Sequence, residues 1–300
     1  MFIESVKRTI SLTAVNSDLE TLLGLLELEE LSEDSFLGHH PEKVMSRTFG
    51  GQLIAQGIVA ASRTVGANRP LHCVNAHFIR GGDVKAPIEY RVDRHRDGRA
   101  IANRVVTGYQ DDNEVFTMLA AFQDTGKGLE HSIDRPEVED PETLPTLADH
   151  FVGYEDVVPT FISALRPIDM RYANAPAWVM KGTGEQLAHN RVWMRADGAL
   201  PDNATIHAAL LAYSSDTTIL DSIITRHGLS WGHDRVLAAT LNHSIWFHRP
   251  FRFDDWALYS TQSPVATGSR GLSTGHFFSH SGELFATTVQ EGVIRHYPRR

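Results

Sequence analysis

The 300-residue sequence predicts an α+β protein built from two tandem units, each a long helix packed on an antiparallel sheet. Three observations lead there. A helix followed by four strand-like segments occurs twice along the chain. Within each set the strand segments follow one another through short turns, as antiparallel pairing allows and parallel pairing does not. Two short stretches also echo each other at nearly one spacing. His77-Phe78-Ile79-Arg80 resembles Trp246-Phe247-His248-Arg249, 169 positions on, and Phe122-Gln123-Asp124 resembles Val289-Gln290-Glu291, 167 positions on. A shared offset is the mark of an internal duplication.

The elements read in order as follows. Ser17–Ser32 has the pattern of a short leucine-rich amphipathic helix, and Phe49-Gly50-Gly51 opens a second helix over Gln52–Val65, ended near Gly66 and Pro70. Leu71–Arg80, Ile88–His95, Ala100–Gln110 and Glu114–Gln123 have strand character. Gly81-Gly82-Asp83, Arg96-Asp97-Gly98 and Asp111-Asp112-Asn113 are the turns between them. Asp124–Pro159 then carries four prolines among many acidic residues, with little apolar periodicity, and reads as a linker wrapping the surface. Phe161–Arg171 and Arg191–Arg195 look like strands, and Thr205–Arg226 like one long amphipathic helix stopped near Gly228. Strand segments Arg235–His248, Ala257–Ala266, Arg270–His280 and Leu284–Arg295 complete the second set. The expected division is residues 1–124, a linker 125–159, and residues 160–300. A long helix wrapped by an antiparallel sheet is the hot-dog unit, and two in one chain make a double hot-dog.

Bulk properties narrow the function. The formal net charge of −9 repels nucleic-acid phosphates and anionic membrane surfaces, so neither is an expected main partner. The single cysteine, Cys73, permits no intrachain disulfide and no cysteine metal cluster, and in the apolar segment Leu71–Ile79 it reads as a core residue rather than a nucleophile. Met1–Asn16 has no apolar core of a signal peptide, and no run of about 18 apolar residues occurs. The C-terminal residues His296–Arg300 carry no Ser-Lys-Leu type address. The cytoplasm is the expected location.

One polar residue stands out of place. On the long helix the three-, four- and seven-residue neighbours of Asp216 are Ala209, Ala212, Tyr213, Ile219, Leu220 and Ile223, so Asp216 lies in the middle of the apolar stripe. A buried carboxylate without partners is costly. Two readings stand: a structural Asp bonded to the hydroxyls of Ser214, Ser215, Thr217 and Thr218, or a functional one. Alternation places Gln290 on one face of the last strand with Ala286, Thr288 and Gly292. It places Thr240 on the face of Val236, Ala238, Asn242, Ser244 and Trp246. A polar residue on each of three elements can converge on one spot, although a strand threonine taken alone is an ordinary β-former.

The stretches Tyr213-Ser214-Ser215-Asp216, Ala239-Thr240-Leu241-Asn242-His243-Ser244-Ile245-Trp246-Phe247-His248-Arg249-Pro250-Phe251 and Thr288-Val289-Gln290-Glu291-Gly292-Val293-Ile294-Arg295 resemble the type II acyl-CoA thioesterases. Phe49-Gly50-Gly51-Gln52 and Phe78-Ile79-Arg80-Gly81-Gly82-Asp83 resemble the same family, which usually has Pro where Gly81 stands. The likeness runs from about Phe36 to Arg295. It implies a double hot-dog fold, hydrolysis of fatty acyl-CoA to free acid and CoA without metal or organic cofactor, and a homo-oligomer. It also implies a site of Asp216, Thr240 and Gln290. The first helix carries Gln52 and Gln56 but no acid, so one active site per chain is expected.

On that reading Asp216 accepts a proton from water that Gln290 and Thr240 orient, and backbone N–H groups stabilise the oxyanion. No Gly-x-Ser-x-Gly elbow supports a covalent route. His243 and His248, five apart on a strand, point to opposite faces and cannot share a metal; His39-His40 and His280 read as loop residues. Arg80, Arg249, Arg270 and Arg295 are candidates for CoA phosphates by charge alone. Two rivals remain. Asp202 and His207 stand five apart, as in hot-dog enoyl-CoA hydratases, but Ala204 and Thr205 replace the rest of that motif, and a helix cap explains the pattern as well. A non-catalytic acyl-CoA sensor would use the same fold, yet a buried Asp serves binding poorly.

Overall fold

A computed structural model describes residues 15–41, 47–66, 69–158, 167–181 and 183–298. The leucine-rich stretch at the start forms a helix, α1, over Val15–Leu26 only. Glu29–Ser32 and Ser35–Gly38 then form a hairpin, β1 and β2, which helix-like composition hides. Tertiary contacts override local propensity here. Phe36 is buried opposite Tyr90, and Arg94 grips both acids of the hairpin turn, Glu33 and Asp34.

Helix α2 spans Gly50–Arg63 and is followed by β3 (Leu71–Phe78), β4 (Ile88–Asp97), β5 (Ile101–Gln110) and β6 (Asn113–Gln123), close to the expected segments. In the second half β7 (Ile168–Tyr172) precedes a short α3 (Ala177–Met180) and β8 (His189–Ala196). The expected strand over Phe161–Arg171 thus begins at Ile168, and residues 159–166 lie outside the described residues. Then come α4 (Ala204–Thr218), α5 (Asp221–Arg226), β9 (Val236–Phe247), β10 (Ala257–Thr267), β11 (Arg270–Ser279) and β12 (Leu284–His296).

The long helix expected over Thr205–Arg226 is therefore two helices. The hydroxyls of Ser214, Ser215 and Thr217 donate back to the carbonyls of Leu210, Ala212 and Ser214. Such bonds compete with the helical ladder and bend it. The ladder stops at Thr218, and α5 restarts at Asp221.

Among the described residues all twelve strands join one antiparallel sheet in the order β1-β2-β4-β5-β6-β3-β9-β12-β11-β10-β8-β7. Read from either end, the order is the same: β1 answers to β7, β2 to β8, β4 to β10, β5 to β11, β6 to β12 and β3 to β9. The halves meet where β3 pairs with β9. Asn75 lies opposite Ser244, 169 positions away, and its Nδ2 donates to Ser244 Oγ at 2.9 Å. That separation equals the offset of the first sequence echo, so a pseudo-twofold axis passes through this pair. The sheet packs on α2 and α4, which lie against each other and bury small residues, Ala55 of α2 and Ala208, Ala209 and Ala212 of α4 among them.

Residues 124–158 hold no α-helix or strand, only 3₁₀ turns at Pro141–Thr143 and Asp149–Phe151. This connection is not a loose wrap. Indole Nε1 groups of Trp193, Trp256 and Trp178 donate to Glu139 O, Glu142 Oε1 and His150 O at 3.0, 2.8 and 2.9 Å. Leu144 is buried with Trp193, Trp256, Leu258 and Phe278 in a second small core.

Candidate active site

Asp216 sits in the last turn of α4 and takes its partners from three other elements. Gly51 N–H, in the first turn of α2, donates to Oδ2 at 2.9 Å. Thr240 Oγ1 of β9 donates to Oδ1 at 3.1 Å. The Gln290 side chain of β12 lies beside the carboxylate and favours its ionised form, and its Nε2 donates to Thr240 Oγ1 at 2.9 Å. Of the hydroxyls offered by a purely local reading, Ser214 and Thr217 are turned to their own helix, and Ser215 to its own helix and to His243. The three residues singled out in the sequence are thus brought together, and Gly51 is added to them.

Two glycines let this happen. A Cβ on Gly50 would stand 2.7 Å from Asp216 Oδ2, and one on Gly51 would stand 2.5 Å from Tyr213 O. The close approach aims the N-terminal end of α2, with its free N–H groups and partial positive charge, at the carboxylate.

The electrostatics are opposed. Burial pushes the Asp216 carboxyl up to about 6, against Thr240, Gln290 and Gly51, which favour the ionised form. Asp216 is nonetheless partly accessible, because it lines a cavity of about 620 Å³ together with Leu220, Asp221, Trp231, Val236 and Thr240. Arg235 and Tyr297 stand on the same cavity, the guanidinium 5.4 Å from the ring centroid.

Behind Gln290 lies His243, a residue that alternation misplaces. The pairing of β9 with β12 shifts between Glu291 and Gly292, so Leu241 is an extra residue on β9. This bulge reverses the parity of the strand. Thr240 and His243 therefore both face inward, whereas Asn242 and Ser244 do not share the face of Thr240 as expected. His243 is fully buried directly opposite Gln290, and its Nδ1 bonds Gln290 Oε1. Because the amide oxygen only accepts, Nδ1 carries the proton. Nε2 then accepts at 3.0 Å from Ser215 Oγ, whose single proton is shared between Nε2 and Ala212 O. Burial holds the imidazole down to about 4, so it is neutral near pH 7. Tyr259 OH extends the network, donating to Ser215 O at 3.2 Å with Thr288 Oγ1 at 2.8 Å.

The other candidates lie elsewhere. Asn203 caps α4 by accepting from Thr205 N–H, and His207 Nδ1 accepts from Phe253 N–H; Asp202 pairs with Arg252. His207 is nine residues before Asp216, roughly 13 Å along the helix. His248 bonds Thr287, and His40 bonds Gln52. Cys73 is buried, and burial pushes its thiol up to about 11. Arg80, Arg249 and Arg270 are engaged with Asn113, Glu283 and Glu291 and do not line the cavity.

With this geometry in hand, comparison with known proteins is direct. The family model described as acyl-CoA thioesterase matches residues 161–293, and the model described as acyl-CoA thioesterase N-terminal domain matches residues 40–123. Acyl-CoA thioesterase 2 of Haemophilus influenzae is 35% identical, over 92% of this chain and 98% of its own. The crystal structure of acyl-CoA thioesterase II TesB2 from Mycobacterium marinum is 32% identical and superposes with a TM-score of 0.75, covering 93% of this chain and 98% of that one. A hot-dog-fold protein from Alicyclobacillus acidocaldarius, 20% identical, shares the fold at a TM-score of 0.76 over 93% of this chain and 98% of its own. The chain belongs to the type II acyl-CoA thioesterase family.

Proposed function

We propose that this chain hydrolyses fatty acyl-CoA to free acid and CoA at one site, with water activated by Asp216 and oriented by Thr240 and Gln290. The observation that carries the reading is a carboxylate in an otherwise apolar helix stripe, bonded from α2 and β9, backed by Gln290 of β12 and still reachable from a cavity. Ionised Asp216 takes a proton from the water as the water oxygen attacks the thioester carbonyl carbon. The C–S bond then breaks, and the departing thiolate takes the proton back from Asp216. The N-terminal end of α2 favours the negative charge that builds on the carbonyl oxygen. No resident cofactor enters this chemistry.

Because only the ionised carboxylate accepts a proton, kcat/KM for thiol release should rise with pH through about 6 and level off above it. Neutral His243 adds no limb near pH 7. A profile flat from pH 5 to 8 would count against Asp216 as the base, and absence of thiol release from any acyl-CoA would remove the thioesterase reading itself.

His243 acts through Gln290, as a positioning residue. With His243 donating to Oε1, the amide has one orientation, in which Nε2 faces Thr240. His243→Leu should lower kcat by about 10-fold or more with little change in KM, the pattern of an interaction used in the transition state. His243→Asn, whose amide N–H can stand in for Nδ1–H, should retain more activity. Equal losses in both variants would remove this role.

The hydratase alternative draws little support, since His207 and Asp202 are engaged away from Asp216. The family gives the sensor none. The mirrored strand order supports descent of residues 1–124 and 160–300 from one duplicated unit, joined by 125–159. Exposed Ile79 and Leu237 support burial against further copies in a homo-oligomer. A cytoplasmic location is in keeping with one buried, unpaired cysteine, and among the described residues no helix is long and apolar enough to cross a membrane.

A further inference from the structure

The cavity beside Asp216 holds a second carboxylate that hydrolysis does not use. Asp221, the first residue of α5, is 7% exposed and lines the same cavity as Asp216 and Thr240. One of its oxygens, Oδ1, accepts from Trp231 Nε1 at 2.6 Å. Among the described residues nothing donates to the other oxygen, and no Lys or Arg pairs with the group; the cavity's own cation, Arg235, lies over Tyr297. Around it the wall is apolar, from Leu220, Val236 and Ala238. In a continuous helix Asp221 would point well away from Asp216. Both nonetheless line one cavity.

An unbranched hydrocarbon chain is a poor occupant of such a space. It would strip water from Asp221 and give nothing back, which strongly disfavours binding when the group is ionised. A hydroxyl suits the site in either protonation state. It donates to the carboxylate or accepts from the carboxylic acid, and burial pushes the Asp221 carboxyl up to about 7, where both forms are present. A second carboxylate on the substrate would meet like charge. Asp216 and Asp221 both line the cavity, yet neither carboxylate perturbs the other, so they stand well apart in it. The hydroxyl therefore belongs several carbons beyond the thioester carbonyl, not on carbon 2 or 3.

We propose that the Asp221–Trp231 pair is a specificity site for acyl-CoAs whose chain carries a mid-chain hydroxyl. The proposal rests on the thioesterase reading and deepens it.

The test compares decanoyl-CoA with its 3-hydroxy, 6-hydroxy and 8-hydroxy derivatives, by thiol release, on wild type, Asp221→Asn, Asp221→Leu and Trp231→Phe. Wild type should favour the 6- or 8-hydroxy chain over decanoyl-CoA by at least about 10-fold in kcat/KM, and the 3-hydroxy chain little or not at all. Asp221→Leu should abolish that preference and raise activity on decanoyl-CoA. Asp221→Asn and Trp231→Phe should reduce the preference in proportion to the hydrogen bonding they keep. Equal rates on all four substrates in wild type would overturn the proposal. So would a parallel loss on all substrates in folded Asp221→Leu, which would mark Asp221 as structural or as a contact to the CoA arm. Should the leucine variant not fold, the wild-type ratios and the Asn variant still decide. Failure to release thiol from any substrate would instead remove the thioesterase reading on which the proposal stands.

Discussion

Asp216→Asn should abolish most of the activity, by about 10²–10⁴-fold in kcat, while the protein folds normally. The amide is nearly isosteric and keeps an oxygen for Gly51 N–H, but it cannot take a proton from water. The same substitution has a second consequence of opposite sign. Burial raises the Asp216 carboxyl above its ordinary value of 3.8, to about 6. The folded state therefore disfavours the charge, and the wild-type protein loses that part of its stability as pH rises through this window. Above about pH 6 the cost is fully present; below about 4 the group is neutral in both states and the cost is gone. Thermal midpoints should thus place the Asn variant level with or above wild type at pH 8, with the gap closing towards pH 4. An inactive variant that is also markedly less stable at pH 8 would show that the carboxylate holds the helices together rather than serving the reaction.

The second large effect is expected at Gly51. An unhindered Gly-to-Ala change inside a helix stabilises by about 0.5–1 kcal/mol. Here the added methyl would meet Tyr213 O at 2.5 Å, and that carbonyl belongs to the backbone of α4 and cannot swing aside. Gly51→Ala must separate α2 from α4, at a cost typical of overpacking, about 1–3 kcal/mol. It also lengthens the bond from Gly51 N–H to Asp216. Because misplacement by about 1 Å can cost 10²-fold in rate, activity should fall by that order. At Gly50 the obstacle is the Asp216 carboxylate at 2.7 Å, a side chain, so Gly50→Ala should harm catalysis more than stability. Melting curves and kcat on the two variants separate these outcomes; a stabilised, active Gly51→Ala protein would show that the helices do not need this approach.

The parts of this molecule legible in the sequence are those set by local chemistry. Turns such as Asp111-Asp112 and Gly282, both with positive φ, punctuate the strands where expected, and the two hot-dog units follow from the repeated order. Asp216 announces itself because a charge in an apolar stripe needs a reason. What stayed hidden is set by departures from regular periodicity. One bulged residue, Leu241, reverses the face of everything after it and conceals His243. One break after Thr218 divides the expected long helix, and Asp221, which follows it, lines the cavity. The β1–β2 hairpin is invisible because Glu29-Glu30-Leu31 is helix-like, and only the distant Tyr90 and Arg94 make it a strand. The run of hydroxyls from Ser214 to Thr218 signals the break, because Ser214, Ser215 and Thr217 bond back to the helix.

The groups around the carboxylate come from positions 51, 216, 240 and 290, and the Gly51–Asp216 contact alone spans 165 residues. On the proposed mechanism, then, no partial product of synthesis can be active. A ribosome-bound chain that has folded its first unit, or even α4, lacks the amide of Gln290, and β12 is the last strand to emerge. On that mechanism hydrolytic competence waits for β12 to join the sheet, so a turnover assay on refolding protein would report the pairing of β9 with β12.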